Sequence, residues 1–181
     1  MIAITTLVAA AIALQPAEAP AAQPLSPSHT AAASHSVIPQ SEVEMTLALI
    51  KPDAVAAHHI GAIITELEKA GFTIVAMKMV QMTEQQAEEF YSPHKERLFY
   101  PSLVKFMSSG PIVAIVLEGD DAIARYRSMM GATSNAAKGT LRGTFATSIE
   151  ANAVHGSDSI ESAQKEIPLL FTPQELRKTG S

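Results

Sequence analysis

A histidine set immediately before a predicted helix is the residue in this chain best placed to do chemistry. His155 lies in the segment Asn152–Asp158 and is followed by Gly156. Asp158 and Glu161 have the D-x-x-E spacing of a capping box, which predicts that the helix begins there. A helix start offers free backbone N–H groups to an anion, usually phosphate, and the glycine is expected to leave room beside the imidazole for a bulky group. From local sequence alone, His155 fits a phosphate-handling residue and a histidine hydrogen-bonded into a turn equally well.

A phosphate would need cations, and these are scattered along the chain. Lys51 follows the first predicted strand, and Arg142 lies in a loop rich in glycine and threonine, where a cation has little structural reason to be. Lys51 and Arg127, each taken alone, also fit solvated surface positions. Arg97 comes two residues before Phe99, an aromatic residue that is more often part of a core than of a base-stacking site.

The common phosphate-binding and zinc-binding motifs do not occur. The sequence contains no G-x-x-x-x-G-K-[ST], G-x-G-x-x-G, H-E-x-x-H or C-x-x-C pattern. His58 and His59 are adjacent, so they point to different faces of a helix, and we expect them to be exposed to solvent. A catalytic zinc is therefore not expected.

Composition limits the classes of function. The chain has 181 residues, of which 47% are hydrophobic and 17% charged, which fits one globular domain with a real core. A net charge of −5 disfavours binding to nucleic acid or to anionic lipid, so a phosphate site would have to concentrate the few cations. The absence of cysteine excludes disulfides, thiolate metal sites and a cysteine nucleophile.

The first 44 residues differ in composition from the rest. Ile2–Leu14 is an apolar run too short to span a bilayer, and a stretch rich in Ala, Pro, Ser and Gln follows it. Two interpretations stay open. The run is part of a signal peptide cleaved near Ala19-Pro20-Ala21, although no Lys or Arg precedes Lys51, or the true start is Met45. In both cases we expect residues 1–44 to be disordered and outside the fold.

Hydrophobic spacing after Met45 predicts alternating strands and helices. The expected strands are Met45–Ile50, Phe72–Met82, Ile112–Leu117 and Ala151–His155. The expected helices are residues 60–70, a second beginning at Thr83 in T-x-x-Q style, one near Ser102–Met107, one from Asp120 or Asp121 to about Met130, and one from Asp158 to about Glu166. A polar loop is expected from Gly131 to about Ile149. The order predicts an α+β domain over residues 45–178: a ferredoxin-like βαββαβ fold, with a four-stranded antiparallel sheet and helices on its surface.

Six ordered segments of the chain resemble nucleoside diphosphate kinase. They are Leu49-Ile50-Lys51-Pro52-Asp53-Ala54-Val55, Phe99 with Leu103-Val104-Lys105-Phe106-Met107, Ser109-Gly110-Pro111, Met130-Gly131-Ala132-Thr133, Gly139-Thr140-Leu141-Arg142-Gly143, and Asn152-Ala153-Val154-His155-Gly156-Ser157-Asp158. The last segment is the family's most specific signature. The resemblance extends from about Met45 to Leu176.

The resemblance implies a role for each candidate residue. His155 would carry phosphate as a pros-phosphohistidine, Glu166 would orient the imidazole, and Tyr91 would support the site through its hydroxyl. The nucleotide phosphates would be held by Lys51, Arg97, Arg127, Thr133 and Arg142. Asn152 would bind the ribose hydroxyl, and Phe99 would stack on the base.

The chemistry of these residue types agrees with that implication. Phosphoryl transfer needs positioning and charge neutralisation, which lysine and arginine supply. A neutral imidazole is a competent nucleophile at physiological pH, and one site that accepts and then donates phosphate gives ping-pong kinetics. The substrates would be ATP and nucleoside diphosphates, in support of NTP and dNTP synthesis. Mg²⁺ is the expected cofactor, held by the nucleotide phosphates because the sequence shows no carboxylate cage for it.

Several positions depart from the family's common pattern. The loop between Thr133 and Gly139 is about two residues shorter, and Ser134-Asn135 replaces the usual Asn-Pro. Thr144 stands for an acidic residue, Leu98 for a proline and Pro93 for a frequent Asp. We expect these changes to alter subunit contacts or stability before chemistry, in a family that forms tetramers or hexamers.

One alternative function stays open: a nucleotide-binding regulatory module of the same fold that has lost turnover. Loss of the histidine, of Lys51 or of Arg142 would mark such a module, and all three are present. We expect no nucleic-acid partner and no membrane span. The expected location is cytoplasmic, or outside the cell if residues 1–21 act as a signal peptide.

Overall fold

The structure, a computed structural model, describes residues 43–176. Strands β1 to β4 are Val43–Ile50, Thr73–Val80, Ile112–Asp120 and Val154–Gly156. Helices α1 to α7 are Pro52–Ala56, Ile60–Lys69, Glu84–Phe90, Tyr100–Ser108, Ala122–Met130, Leu141–Phe145 and Ile160–Leu170, with a 3₁₀ turn at Ser92–His94. The predictions about residues 1–42, and about the end of the domain at residue 178, fall outside the described residues.

The four strands form one antiparallel sheet in the order β2-β3-β1-β4. The central strand β1 pairs along its full length with β3, and its last residues pair with β4 on the other side. Strand β2 forms the opposite edge through its pairing with β3. This topology confirms the predicted ferredoxin-like sheet. Strand β1 begins at Val43, two residues before the predicted start, because Val43 and Glu44 continue the pairing with β3.

Helices cover both faces of the sheet. On one face α3, α4 and α7 pack on side chains such as Leu49 and Val116, and on the other α2 and α5 pack on neighbours such as Ile50 and Ile115. A strand buried on both faces reads as a continuous apolar run rather than as an alternating one. The runs Leu47–Ile50 and Ile112–Leu117 are fully buried for this reason.

Two short helices were not predicted. Pro52 was expected only to end β1, but it also occupies the first turn of α1, where its fixed φ and missing N–H suit a helix start. The predicted polar loop after Gly131 contains α6, whose first turn is capped by the Thr140 hydroxyl accepting from the Gly143 N–H. Neither helix has more than five residues, too few for a periodic signal. Across residues 43–176, no helix is both long and apolar enough to cross a bilayer.

The start of α7 differs from the prediction. The capping residue is Ser159, whose hydroxyl accepts a hydrogen bond from the Ser162 N–H, and not Asp158. Asp158 accepts a hydrogen bond from the Ser162 hydroxyl instead. The helix start predicted from the D-x-x-E spacing was therefore one residue too early, because serine and aspartate both favour the capping position. By contrast, the predicted T-x-x-Q cap of α3 is present, with reciprocal bonds between Thr83 and Gln86.

Gly156 gives room to the core and not to a ligand. A Cβ at this position would lie 2.6 Å from Cε1 of Tyr126 and 3.0 Å from Sδ of Met130. The fully buried Tyr126 ring therefore presses against the backbone of β4, and its hydroxyl donates to the His155 carbonyl at 3.2 Å. Gly156 was expected to leave space for a ligand beside the imidazole, but that space is filled by Tyr126 and Met130. The missing side chain lets α5 pack closely on β4.

We expect Gly156→Ala to lower the free energy of unfolding by about 1–3 kcal/mol, since the added methyl must displace a buried ring. Urea denaturation followed by circular dichroism measures the change. Gly61→Ala is the matched control, because Gly61 lies in α2 with no atom within 4 Å of the added Cβ. That control should stabilise the protein by about 0.5–1 kcal/mol. Equal unfolding midpoints for Gly156→Ala and the wild type would contradict the close packing.

Candidate active site

His155 is held at the middle of the short edge strand β4. It pairs with Leu49, one of the buried residues of the central strand β1, which fixes its backbone. Its ring meets the rings of Phe90 and Tyr91 edge-on, with centroids 5.2 and 5.9 Å away. The side chain is 17% exposed. The imidazole is therefore oriented by packing but still reachable from solvent.

A carboxylate from α7 holds one nitrogen of this ring. Oε2 of Glu166 lies 3.1 Å from Nε2 of His155, and the same oxygen accepts a hydrogen bond from the Ser157 hydroxyl at 2.7 Å. A neutral imidazole that donates from Nε2 to a carboxylate carries its lone pair on Nδ1. The arrangement thus presents Nδ1 as the nucleophilic atom.

Ser157 belongs to the site and was not among the predicted residues. It is buried, and its hydroxyl oxygen also accepts from the Leu47 N–H of β1 at 3.1 Å. The serine thereby ties Glu166 to the central strand. Its position two residues after His155, on the same side of a strand, was the available signal.

Lys51 is buried at the end of β1. Its Nζ donates to Oδ1 of Asn152 at 2.7 Å, and the Asn152 amide in turn donates to the Ile149 carbonyl. The pKa of Lys51 is lowered to about 8, mainly by burial and then by the nearby Arg142 guanidinium, while Asp53 and Glu150 act in the opposite direction. A buried cation with one neutral partner is suited to receive an anion.

Arg142 organises the backbone around His155. Its guanidinium donates to the carbonyl oxygens of Gly131 at 3.0 Å and Val154 at 3.1 Å, and to the Thr133 hydroxyl at 3.2 Å. Nε is buried and has no hydrogen-bond partner among residues 43–176. Burial is the main cause that lowers the pKa of Arg142. The guanidinium therefore binds the residue next to His155 and still has one N–H without a partner in the described chain.

Tyr91 lies beside the imidazole and has a buried hydroxyl. The side chain is buried, and within the described chain its hydroxyl has no hydrogen-bond partner. Burial raises the pKa of Tyr91, and the Glu166 carboxylate raises it further. The phenol therefore stays protonated and can donate a hydrogen bond to an incoming oxygen.

The remaining candidates lie at the rim. Phe99 is 52% exposed. Its ring lies 5.8 Å from the ring of His94, which stacks on Tyr91 at 6.4 Å. Sequence reasoning missed this position of His94, which connects Phe99 to the rings around His155.

Arg97 and Arg127 also lie on the surface, with exposed side chains. Arg127 is close enough to Arg142 to lower its pKa by charge repulsion. No hydrogen bond or ion pair among residues 43–176 connects Arg97 or Arg127 to the pairs His155–Glu166, Lys51–Asn152 and Arg142–Thr133.

Comparison with known proteins decides the family. The sequence profile described as "Nucleoside diphosphate kinase" matches residues 44–176. The chain belongs to the nucleoside diphosphate kinase family. It is therefore a phosphotransferase that moves the γ-phosphate of ATP to nucleoside diphosphates.

Curated relatives share the match over nearly their whole length. A nucleoside diphosphate kinase of Legionella pneumophila (strain Paris) is 56% identical over 135 residues, which is 74% of this chain and 96% of the relative. "Nucleoside diphosphate kinase 1" of Protochlamydia amoebophila (strain UWE25) is 55% identical with the same coverage.

Solved structures of the family have the same fold. The Aquifex aeolicus nucleoside diphosphate kinase superposes with a TM-score of 0.73 at 46% identity, covering 75% of this chain and 99% of that one. A halophilic nucleoside diphosphate kinase from Halobacterium salinarum, solved in complex with CDP, gives a TM-score of 0.74 at 38% identity, with coverage of 77% and 95%.

Proposed function

We propose that this nucleoside diphosphate kinase works through a phosphohistidine on Nδ1 of His155. One observation carries the proposal: Nε2 is engaged by Glu166 at 3.1 Å, which leaves Nδ1 as the free nucleophile. Glu166 also stabilises the positive charge that the ring gains when Nδ1 forms a bond to phosphorus. The orienting carboxylate is itself held by Ser157, so the tautomer is set before substrate arrives.

The reaction takes two displacements at one phosphorus. The Nδ1 lone pair attacks the γ-phosphorus of ATP, the bond from phosphorus to the bridging oxygen breaks, and ADP leaves with that electron pair. A nucleoside diphosphate then binds, a terminal oxygen of its β-phosphate attacks the phosphohistidine, and the P–N bond breaks to restore the neutral ring. Because the phosphohistidine holds the phosphate after ADP has left and before the diphosphate binds, the kinetics are ping-pong.

The inner cations neutralise the charge that spreads over the transferred phosphoryl oxygens. Lys51 and Arg142 are partly desolvated, so their attraction for an anion is stronger than that of exposed cations. Thr133 is oriented by Arg142. The exposed Arg97 and Arg127 bind phosphates farther from the reacting bond. The Tyr91 hydroxyl supports the site as a neutral donor.

The nucleoside is held by weaker and less selective contacts. The exposed Phe99 ring stacks on the base, which reads a π-face and not a hydrogen-bond pattern, so several bases are accepted. Asn152, already fixed by Lys51 and the Ile149 carbonyl, binds the ribose hydroxyl.

Mg²⁺ fits the nucleotide better than it fits the protein. The inner groups are cations and neutral donors, and no group of three or more His, Cys, Asp or Glu within the described part of the chain could hold a metal ion. We propose that Mg²⁺ arrives on the phosphates of the nucleotide and neutralises part of their charge.

Assembly and location are also proposals. We propose that the chain forms a homo-oligomer, either a tetramer or a hexamer, as its resemblance to the family implies; sedimentation equilibrium distinguishes the two by mass. We propose a cytoplasmic location. Mass spectrometry of the native N-terminus tests it, because a new terminus near residue 21 would indicate export instead.

Labelling of the wild-type protein tests the phosphohistidine. We expect γ-labelled ATP to give a phosphoprotein that is labile in acid and stable in alkali, with the label on the peptide containing His155, and a nucleoside diphosphate to remove it. ATP labelled at the α-phosphate is the control for bound nucleotide and should leave no label. An acid-stable label on Ser157, or a label on His94, would refute the assignment.

A further inference from the structure

We propose that Asp53 is a positioning residue of this active site, because its carboxylate holds the strained backbone at Ala153 and so fixes Asn152 on one side and His155 on the other. The inference rests on the proposed function, since it concerns the placement of the groups that carry it. Asp53 does not touch the reacting atoms.

The segment Lys51-Pro52-Asp53 makes hydrogen bonds to both the carbonyl and the N–H of Ala153. The Lys51 N–H donates to the Ala153 carbonyl at 2.8 Å, and the Ala153 N–H donates to Oδ2 of Asp53 at 2.9 Å. Pro52 lies between the two contacts and has a fixed φ, which keeps them a constant distance apart. One tripeptide thus binds both polar groups of a single buried residue.

The gripped residue has a conformation that it would not adopt unaided. Ala153 has φ of 65°, and the Val154 N–H donates to the Asn152 carbonyl two residues back, at 2.7 Å. A hydrogen bond across a single residue of positive φ defines the rare and strained form of the γ-turn. An alanine in this region of φ costs about 1–2 kcal/mol, so the surrounding contacts must hold it there.

The turn sits between two functional side chains. Asn152, which binds Nζ of Lys51, directly precedes it, and His155 follows two residues later in β4. If Ala153 relaxed to negative φ, the Asn152 amide and the start of β4 would rotate relative to each other. A displacement of about 1 Å in a positioning group can cost about 10²-fold in rate.

Asp53 also acts on Lys51 by charge. Its second oxygen, Oδ1, is buried and has no hydrogen-bond partner in the described chain. Burial and the Arg142 guanidinium lower the pKa of Lys51, whereas Asp53 and Glu150 raise it. The Phe106 ring, 5.9 Å from Nζ, also faces the ammonium group. The carboxylate thus helps Lys51 to remain charged while it is buried.

A simpler role must be distinguished from this one. Asp53 is the acidic residue in the first turn of α1, where a carboxylate stabilises any helix. Glu84 has the same place in α3, where it is exposed, so Glu84→Ala is the matched control for a helix-stabilising acid.

The test is a double-mutant cycle between Asp53→Ala and Ala153→Gly. Glycine adopts positive φ without strain, so it should replace the grip that Asp53 supplies. We expect Asp53→Ala to lower kcat by about 10-fold to 100-fold. The double variant Asp53→Ala/Ala153→Gly should recover at least half of that loss on a logarithmic scale. Glu84→Ala should keep the wild-type kcat. A loss that glycine does not recover would overturn the geometric argument.

The charge argument has its own variant. Asp53→Asn keeps an oxygen that can accept from the Ala153 N–H, so its kcat near pH 7 should stay close to that of the wild type. Because the negative charge is gone, the pKa of Lys51 falls, and the basic limb of the kcat/KM profile should move to lower pH. An unmoved basic limb would overturn this part.

Labelling with γ-labelled ATP distinguishes failure of the Asp53 role from failure of the proposed phosphohistidine. The labelling of His155 is measured on the wild type and every variant. Absence of label on the wild type would defeat the proposed function, whereas a labelled wild type with an Asp53→Ala variant of equal kcat and equal pH profile would defeat only the role of Asp53.

Discussion

His155→Ala is expected to lower kcat by at least about 10⁴-fold, because the variant lacks the only nucleophile that the proposed mechanism uses. Direct transfer between two bound nucleotides cannot replace it, since one set of cations serves both half-reactions. The proposed nucleotide contacts of Lys51, Arg142 and Phe99 would still be present. We therefore expect nucleotide affinity to change much less than kcat.

The measurement combines turnover with labelling. A coupled assay for NTP formation gives kcat, and γ-labelled ATP followed by gel electrophoresis gives the phosphoprotein. His58→Asn is the control, because His58 is exposed and has φ of 61°, a region that asparagine tolerates. It should keep both wild-type activity and wild-type labelling.

Stability must be compared in the same preparations. The ring of His155 packs against the rings of Phe90 and Tyr91, so its removal leaves a small cavity and a lower melting temperature. That loss does not account for missing turnover when the assay runs well below the transition. A folded His155→Ala variant that still becomes labelled would show that another residue carries the phosphate.

The sheet was predictable because its central strands are buried on both faces. Continuous apolar runs at Leu47–Ile50 and Ile112–Leu117 leave few other structures for those residues, and the order of elements then limits the topology. The short strand β4 was harder to place. It begins at Val154 and not at Ala151, because the γ-turn at Ala153 precedes it, and no residue type there marks a positive φ.

The candidate site was predictable where it depends on residue type. His155, Lys51 and Arg142 stood out through segments shared with a known family. Asp53 and Ser157 lay in the same segments, but their roles depend on which backbone group or carboxylate each one meets across the fold. Contacts between residues about 100 positions apart, such as Asp53 with Ala153, leave no local pattern in a single sequence.

Arg142→Lys is the second large effect, and we expect kcat/KM to fall by about 10²–10³-fold with most of the loss in kcat. The guanidinium binds two carbonyl oxygens and a hydroxyl at once and still has a buried Nε without a partner in the described chain. An ammonium group has three donors and no planar fork. It cannot keep the contacts to Gly131, Val154 and Thr133 and also meet a phosphoryl oxygen, which would be a fourth acceptor.

The loss of kcat/KM in Arg142→Lys should have two causes: weaker contacts to the backbone and a lost contact to the phosphoryl group. Arg125→Lys is the matched control, because Arg125 also donates to two backbone carbonyls, those of Ala70 and Asp120, and lies over the Phe72 ring. We expect each variant to lose about 1–3 kcal/mol of unfolding free energy through its carbonyl contacts. Only Arg142→Lys should lose turnover, since the contacts of Arg125 are to Ala70, Asp120 and Phe72 and none is to His155. If the two variants lose stability and activity in the same proportion, Arg142 acts by holding the backbone; if activity falls without a matching loss of stability, its planar guanidinium contacts the phosphoryl group in the transition state.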